Sequence, residues 1–215
     1  MGPGRIGLLG GSFDPIHYGH LILAEEARHS LSLDRVVFVP AGQPPHKRGR
    51  VLSASQHRLA MTERAIASEP AFVASRLDLD RPGPHYTVDL VRLFLGQAAS
   101  GAELFFLMGA DSLEDLLTWR DPAGLLALCQ VAAFSRPGHL PDTEWLAQRL
   151  PAVRERVRVI PMPLIGISAS DIRQRVRQGR PIRYLLPEAV RDYIVAEGLY
   201  LGKVEEPGDP TGQDR

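Results

Sequence analysis

The strongest constraint on the fold of this chain is the alternation of short β-branched and aromatic runs with longer stretches of helical spacing. Residues 5–9 (RIGLL), 35–40 (RVVFVP), 72–74 (FVA), 104–108 (LFFLM), 131–134 (VAAF) and 157–161 (VRVIP) read as strands. Helical spacing predicts helices over 21–31, 55–68, a run from residue 87, 112–117, a run ending at 128, 143–150, 170–178 and 187–197. Ser55 and Thr87 are expected as N-caps of their helices. Strands and helices in this order predict an α/β fold: a Rossmann-like, doubly wound parallel sheet with helices on both faces. Ligands then belong at the carboxyl ends of the strands, in the loops that follow them.

With 215 residues and 44% hydrophobic side chains, the chain can bury one sizeable core, expected as a single domain over 1–202 with a helical C-terminal part from about 166. The tail 203–215 is almost devoid of apolar residues and is expected to be disordered. Lys and Arg number 25 and so do Asp and Glu, so no overall field draws the protein to nucleic acid or to an anionic membrane. The lone Cys129 lies in an apolar run, which excludes a disulfide framework and favours a buried structural thiol. No apolar run reaches the roughly twenty residues needed to span a bilayer, and no signal-peptide pattern precedes the first strand. A cytoplasmic location is the resulting expectation. No sequence signal fixes an oligomeric state.

The loop after the first strand reads GGSFDPIHYGH, residues 10–20. His17 and His20 with Asp14 suggest a metal, but a closed zinc site needs about four ligands. Ser12 suggests a nucleophile, but the strained G-x-S-x-G turn of hydrolases is absent. A phosphate site fits the stretch better. Gly10 and Gly11 let the backbone approach a ligand, Ser12 adds a hydroxyl, and the next helix directs its N-terminal amides at whatever binds there. For an isolated Gly-Gly or an isolated His, a tight turn and a surface imidazole are the plainer reading.

A second constellation lies at 166–177, GISASDIRQRVR, where Gly166, Ser168, Ser170 and Arg173 collect hydroxyls, helix-start amides and a guanidinium. Its plain alternative is an ordinary N-cap with exposed arginines. Together the two stretches suggest a long anion such as a nucleoside triphosphate. Neither GxxxxGK[ST] nor GxGxxG is present, so the chain is neither a P-loop enzyme nor a typical dinucleotide binder.

GGSFDPIHYGH followed by ISASDIR resembles the signature pair of the HxGH nucleotidyltransferase superfamily. PPHK at 44–47, HYTVDL at 85–90, LMGADS at 107–112, Trp119 and SRPG at 135–138 are similar to the bacterial nicotinate-nucleotide adenylyltransferases, over about residues 5–200. Three positions depart from that pattern: His85 stands where Ser is usual, Leu90 where Thr is common, and Ala169 where Ser is frequent.

The resemblance implies transfer of AMP from ATP to nicotinate mononucleotide, releasing nicotinate adenine dinucleotide and pyrophosphate in NAD biosynthesis, with magnesium carried by ATP and no covalent enzyme intermediate. His17, His20 and Arg173 are then the catalytic residues. Gly10, Gly11, Ser12, Phe13, Gly109, Ile167, Ser168 and Ser170 join them around ATP. Asp111 is implied at the adenosine ribose, with an N-cap as its plain alternative, and Arg136 beside adenine or phosphates, with a solvated arginine as its own. Tyr86, Thr87, Trp119 and Arg120 are implied at the pyridine ring and its carboxylate, and His46 and Lys47 at the mononucleotide phosphate. No residue is expected to ligate a metal. Within the superfamily the nearest alternatives in substrate are phosphopantetheine adenylyltransferases and cytidylyltransferases. Outside it stand a non-catalytic nucleotide-binding regulator and a metal-dependent hydrolase.

Overall fold

The computed structural model describes residues 4–42, 52–135, 141–163 and 165–201. Its centre is a parallel six-stranded sheet in the order β3-β2-β1-β4-β5-β6. The strands are β1 Arg5–Gly11, β2 Arg35–Pro40, β3 Phe72–Ala74, β4 Glu103–Gly109, β5 Gln130–Ser135 and β6 Val157–Pro161. Helices fill the crossovers: α1 Tyr18–Ser30, α2 Ser55–Ile66, α3 Thr87–Gln97, α4 Ala110–Glu114, α5 Pro122–Leu128, α6 Thr143–Arg149 and α7 Val153–Arg156. Two more, α8 Ala169–Arg177 and α9 Glu188–Ala196, follow β6.

The central strands read as continuous apolar runs because both faces are covered. Along β1, β2, β4 and β5 successive side chains alternate between two cores. Val36 and Phe38, Phe105 and Leu107, Ala132 and Phe134 pack under α1, α2, α8 and α9. Ile6 and Leu8, Val37 and Val39, Phe106 and Met108, Val131 and Ala133 pack under α3 to α7. Cys129 belongs to this second core, and burial pushes its thiol up to about 12, so the structural reading of this residue holds. Leu90, one of the three departures, is also buried there.

Several expected boundaries move. β1 extends two residues through Gly10 and Gly11, because both keep the parallel register with Val39 and Pro40. α1 begins at Tyr18 rather than 21, with His17 as its N-cap residue, so the HxGH stretch straddles the helix start. The helices over 55–66 and 87–97 are capped by the backbones of Ala54 and Tyr86, and Ser55 and Thr87 are their first helical residues instead of caps. The helix expected over 112–117 divides into α4 and a single 3-10 turn, Leu116–Thr118. Asp111 therefore sits inside the first turn of α4, and Gly109 takes the N-cap place. The short α7 is an addition. The tail after residue 201 lies outside the described residues, and among those described no helix is long and apolar enough to cross a membrane.

β1 and β4 are neighbours whose crossovers leave in opposite directions along the sheet, so a crevice opens beyond their carboxyl ends. Close packing under β1 depends on Gly7. A Cβ there would lie 2.7 Å from Leu33 Cδ1 and 2.8 Å from Leu107 Cδ1. The Gly7→Ala protein is expected to lose about 1–3 kcal/mol of stability. Urea unfolding checks this, and an unchanged midpoint contradicts it.

Candidate active site

The crevice is a cavity of about 660 Å³ at the switch point. Its walls come from the loop after β1, the starts of α1, α3 and α8, the end of β4 and the turn after α4. Gly10, Gly11, Ser12, Phe13, His17, His20, Tyr86, Thr87, Gly109, Trp119, Arg120, Ile167, Ser168, Ser170 and Arg173, all singled out in the sequence, line it.

The shape of the β1 loop follows from local packing. Phe13 adopts a left-handed backbone, φ 47°, and swings its ring into the core beside Phe38. A Cβ on Gly11 would meet that ring at 2.7 Å, so glycine is required by the fold itself. The Phe13 ring also meets the His20 imidazole edge-on, with centroids 5.1 Å apart. His17 and His20 stack at 3.8 Å, and the His17 backbone N–H donates to His20 Nδ1 at 3.2 Å. Because Nδ1 of His20 accepts, the proton of its neutral ring sits on Nε2, which is a donor. Gly19 leaves room for this stack, since a Cβ there would come within 3.0 Å of the His17 ring.

His17 is 7% exposed, and its Nδ1 has no hydrogen-bond partner among the described residues. Burial lowers its pKa from 6.5 to about 4, so the ring is neutral at neutral pH. An anion beside the α1 N-terminus would supply the partner that this buried ring lacks.

From the far end of the chain, α8 brings Arg173 against the same loop. Its Nη1 donates to the Asp14 carbonyl, 159 residues away, and its Nη2 donates to Ser170 Oγ at 3.2 Å. Ser168 caps α8, accepting from the Asp171 N–H at 3.1 Å. The plain N-cap reading of Ser168 is thus present, and the residue lines the cavity as well.

On the opposite wall, Trp119 stands edge-on to Phe106 at 6.0 Å, and the Arg120 guanidinium lies 5.7 Å from the Tyr86 ring centroid. Thr87 opens α3 beside them. Gly109 ends β4, and a Cβ there would touch no protein atom within 4 Å. Asp111 is exposed, in the first turn of α4, between Gly109 and Ser112, which both line the cavity. His46, Lys47 and Arg136 lie outside the described residues.

Sequence reasoning missed the supports of this loop. Arg58 in α2 is buried at 3% exposure and spends its guanidinium on four carbonyls: Ser53 at 3.0 Å, Ser12 at 2.9 Å, Ala41 at 2.6 Å and Gly42 at 3.3 Å. Desolvation lowers its pKa while Asp14 and Asp78 oppose the shift. Tyr200, near the end of the described chain, donates to Asp14 Oδ1 at 2.7 Å, and burial raises its pKa well above the ordinary value. One signal was readable. Arg58 falls on the apolar stripe of its helix, four residues before Thr62 and eight before Ile66, where a cation must find partners.

With one Asp14 oxygen taken by Tyr200 and the other 3.3 Å from the Ser53 N–H, Asp14 does not join the histidines. Among the described residues no three His, Cys, Asp or Glu side chains converge as a metal cage.

The cytidylyltransferase-like family model matches residues 8–175. The chain is 52% identical to a probable nicotinate-nucleotide adenylyltransferase of Thermomicrobium roseum, covering 91% of each chain. It is 45% identical to one of Moorella thermoacetica, covering 94% of each. In fold it is similar to the Plasmodium falciparum nicotinic acid mononucleotide adenylyltransferase complexed with NaAD, with a TM-score of 0.74, 20% identity, and coverage of 92% of this chain and 97% of that one.

The buried His17 makes stability depend on pH. The unfolded chain protonates this residue near 6.5 and the folded one only near 4, so between those values the unfolded state binds the extra proton. Stability is therefore expected to fall as pH drops from 6.5 to 4, by at most about 3 kcal/mol from this residue. Comparing denaturant unfolding at pH 7 and pH 4 for the native protein and His17→Asn checks this. The variant should lose less stability on acidification, and equal losses refute it.

Proposed function

Because the chain belongs to the cytidylyltransferase-like family and, within it, to the nicotinate-nucleotide adenylyltransferases, we propose that its crevice transfers AMP from ATP to nicotinate mononucleotide. The products are nicotinate adenine dinucleotide and pyrophosphate, and the reaction serves NAD biosynthesis. The observation that carries this reading to particular residues is the meeting of the HxGH helix start and Arg173 around one loop, in a cavity that also reaches Thr87 and Trp119.

The 5′-phosphate oxygen of the mononucleotide attacks the α-phosphorus of ATP. A new P–O bond forms there as the bond from that phosphorus to the α,β-bridging oxygen breaks, and pyrophosphate leaves opposite the attacking oxygen. The protein positions the reactants and stabilises charge. His17 and His20 donate to the triphosphate, His20 through Nε2–H to the charge that grows on the α-phosphoryl oxygens. The N-terminal amides of α1 add a fixed positive field. Ser170 and Arg173 hold the β- and γ-phosphates that become the leaving group. Gly10, Gly11, Ser12 and Phe13 let the loop backbone approach, with Ile167 and Ser168 closing the wall beside them, and Gly109 leaves space at the adenosine.

Magnesium, which favours phosphate oxygens and water over an all-protein cage, would be carried by ATP and would supply charge neutralisation on the triphosphate.

Trp119, braced edge-on by Phe106, offers a ring face to the pyridine. Thr87 at the start of α3 and the backbone near Arg120 receive the carboxylate, which a helix N-terminus favours over a neutral amide. His46 and Lys47 serve the mononucleotide phosphate and Arg136 the adenosine side. One domain over residues 1–202 carries the activity.

The test is to incubate the protein with magnesium, ATP and either nicotinate mononucleotide or its amide, and to measure dinucleotide and pyrophosphate. Dinucleotide is expected with the acid. No product with either acceptor, from folded protein that binds ATP, overturns the proposal. The His20→Ala protein should lose turnover on the order of a hundredfold or more; full turnover refutes the role given to His20.

A further inference from the structure

A second buried ion cluster reaches the crevice, whose lining includes Asp78 and His85, and the reaction scheme above leaves it unused. Asp78 is 3% exposed. Its Oδ1 accepts from Arg81 Nε at 2.7 Å, and its Oδ2 accepts from the Gly42 N–H at 2.7 Å. The rest of the Arg81 fork turns to backbone, Nη1 to the Pro84 carbonyl at 3.0 Å and Nη2 to the Tyr86 carbonyl at 3.1 Å. The His85 imidazole closes the arrangement, with its Nδ1 3.3 Å from Asp78 Oδ2. Its ring fills the space above Gly42, where a Cβ would come within 2.2 Å of it.

The cluster joins two walls of the crevice. Gly42 follows the end of β2, while Tyr86 and Thr87 begin α3. In a planar trans peptide the carbonyl and the following N–H point in opposite directions. Holding the Tyr86 carbonyl on Arg81 thus fixes the direction of the Thr87 N–H, at a residue that lines the cavity.

We propose that Asp78 and Arg81 are positioning residues for the acceptor: Arg81, clamped by Asp78, sets the Tyr86–Thr87 peptide so that the start of α3 meets the carboxylate of the pyridine nucleotide. This rests on the reading of Thr87 as an acceptor contact. ATP is gripped on the opposite wall by α1 and α8, and Arg81 bonds to neither; Asp78 also faces Arg58, which holds the Ser12 carbonyl, so Arg81 is the member of the pair whose change separates the two substrates.

Steady-state kinetics of Arg81→Lys tests this, because lysine keeps the charge but cannot bond to a carboxylate and two carbonyls as a planar fork does. Loss of aim for one hydrogen bond to a charged group predicts a rise of roughly ten- to a hundredfold in KM for nicotinate mononucleotide. KM for ATP should stay within about twofold by the same separation of the walls. Preference for the acid over the amide should shrink in parallel, and Asp78→Asn should also raise KM for the mononucleotide, with the ATP constant read only from Arg81→Lys because Asp78 also faces Arg58. Equal rises in both KM values, or no change in either, overturn the proposal.

If neither variant folds, the native protein supplies the answer. With an ATP analogue bound, added nicotinate mononucleotide should slow amide exchange at residues 86–88, and unchanged exchange there overturns the proposal. Native protein that makes no dinucleotide refutes the parent function, whereas native activity with an unmoved acceptor KM in the variants refutes only the role of the pair.

Discussion

The hydrogen bond from Arg173 to the Asp14 carbonyl joins the two ends of the chain at the point where the chemistry is proposed. Without it, α8 and the β1 loop are separate helix starts, each a modest anion site. With it, their donors face one cavity. The loop is further fixed by Tyr200, which holds the Asp14 side chain, and by Arg58, which holds the Ser12 carbonyl from below. Asp14 and Asp78 flank the buried Arg58, and removing either would leave a desolvated charge with one opposing charge fewer.

In the proposed reaction this scaffold lets histidines act as phosphate donors in an apolar setting. His17 is held neutral by burial, and His20 has its proton directed to Nε2 by the backbone of His17. Donors with fixed geometry, backed by the helix dipole, stabilise developing charge. The acceptor wall follows the same logic by other means. There a backbone peptide is aimed by a buried ion pair, and a tryptophan is braced by a phenylalanine.

Much of this could be read before the coordinates. The six strand runs and their alternation with helices led to the parallel sheet and to the crevice at its switch point, because hydrophobic periodicity is a local property. The pairing of GGSFDPIHYGH with ISASDIR suggested ten of the residues that line the cavity, and the wider family resemblance suggested five more, Tyr86, Thr87, Gly109, Trp119 and Arg120. Helix starts were less legible. Ser55 and Thr87 have the chemistry of caps, yet the backbones of Ala54 and Tyr86 take that place. Asp111, implied at the ribose by the resemblance, falls inside the first turn of α4, which starts at Ala110 rather than at 112. Arg58, Asp78 and Tyr200 act through contacts between residues distant in sequence, which no local pattern displays.

The most direct test of the account is a crystal structure of the protein with a non-hydrolysable ATP analogue and magnesium. The triphosphate should span from His17 and His20 at the start of α1 to Ser170 and Arg173 on α8, with the α-phosphate beside His20 Nε2. A triphosphate bound away from the α1 start, or held by α8 alone, would contradict the convergence on which the whole reading rests.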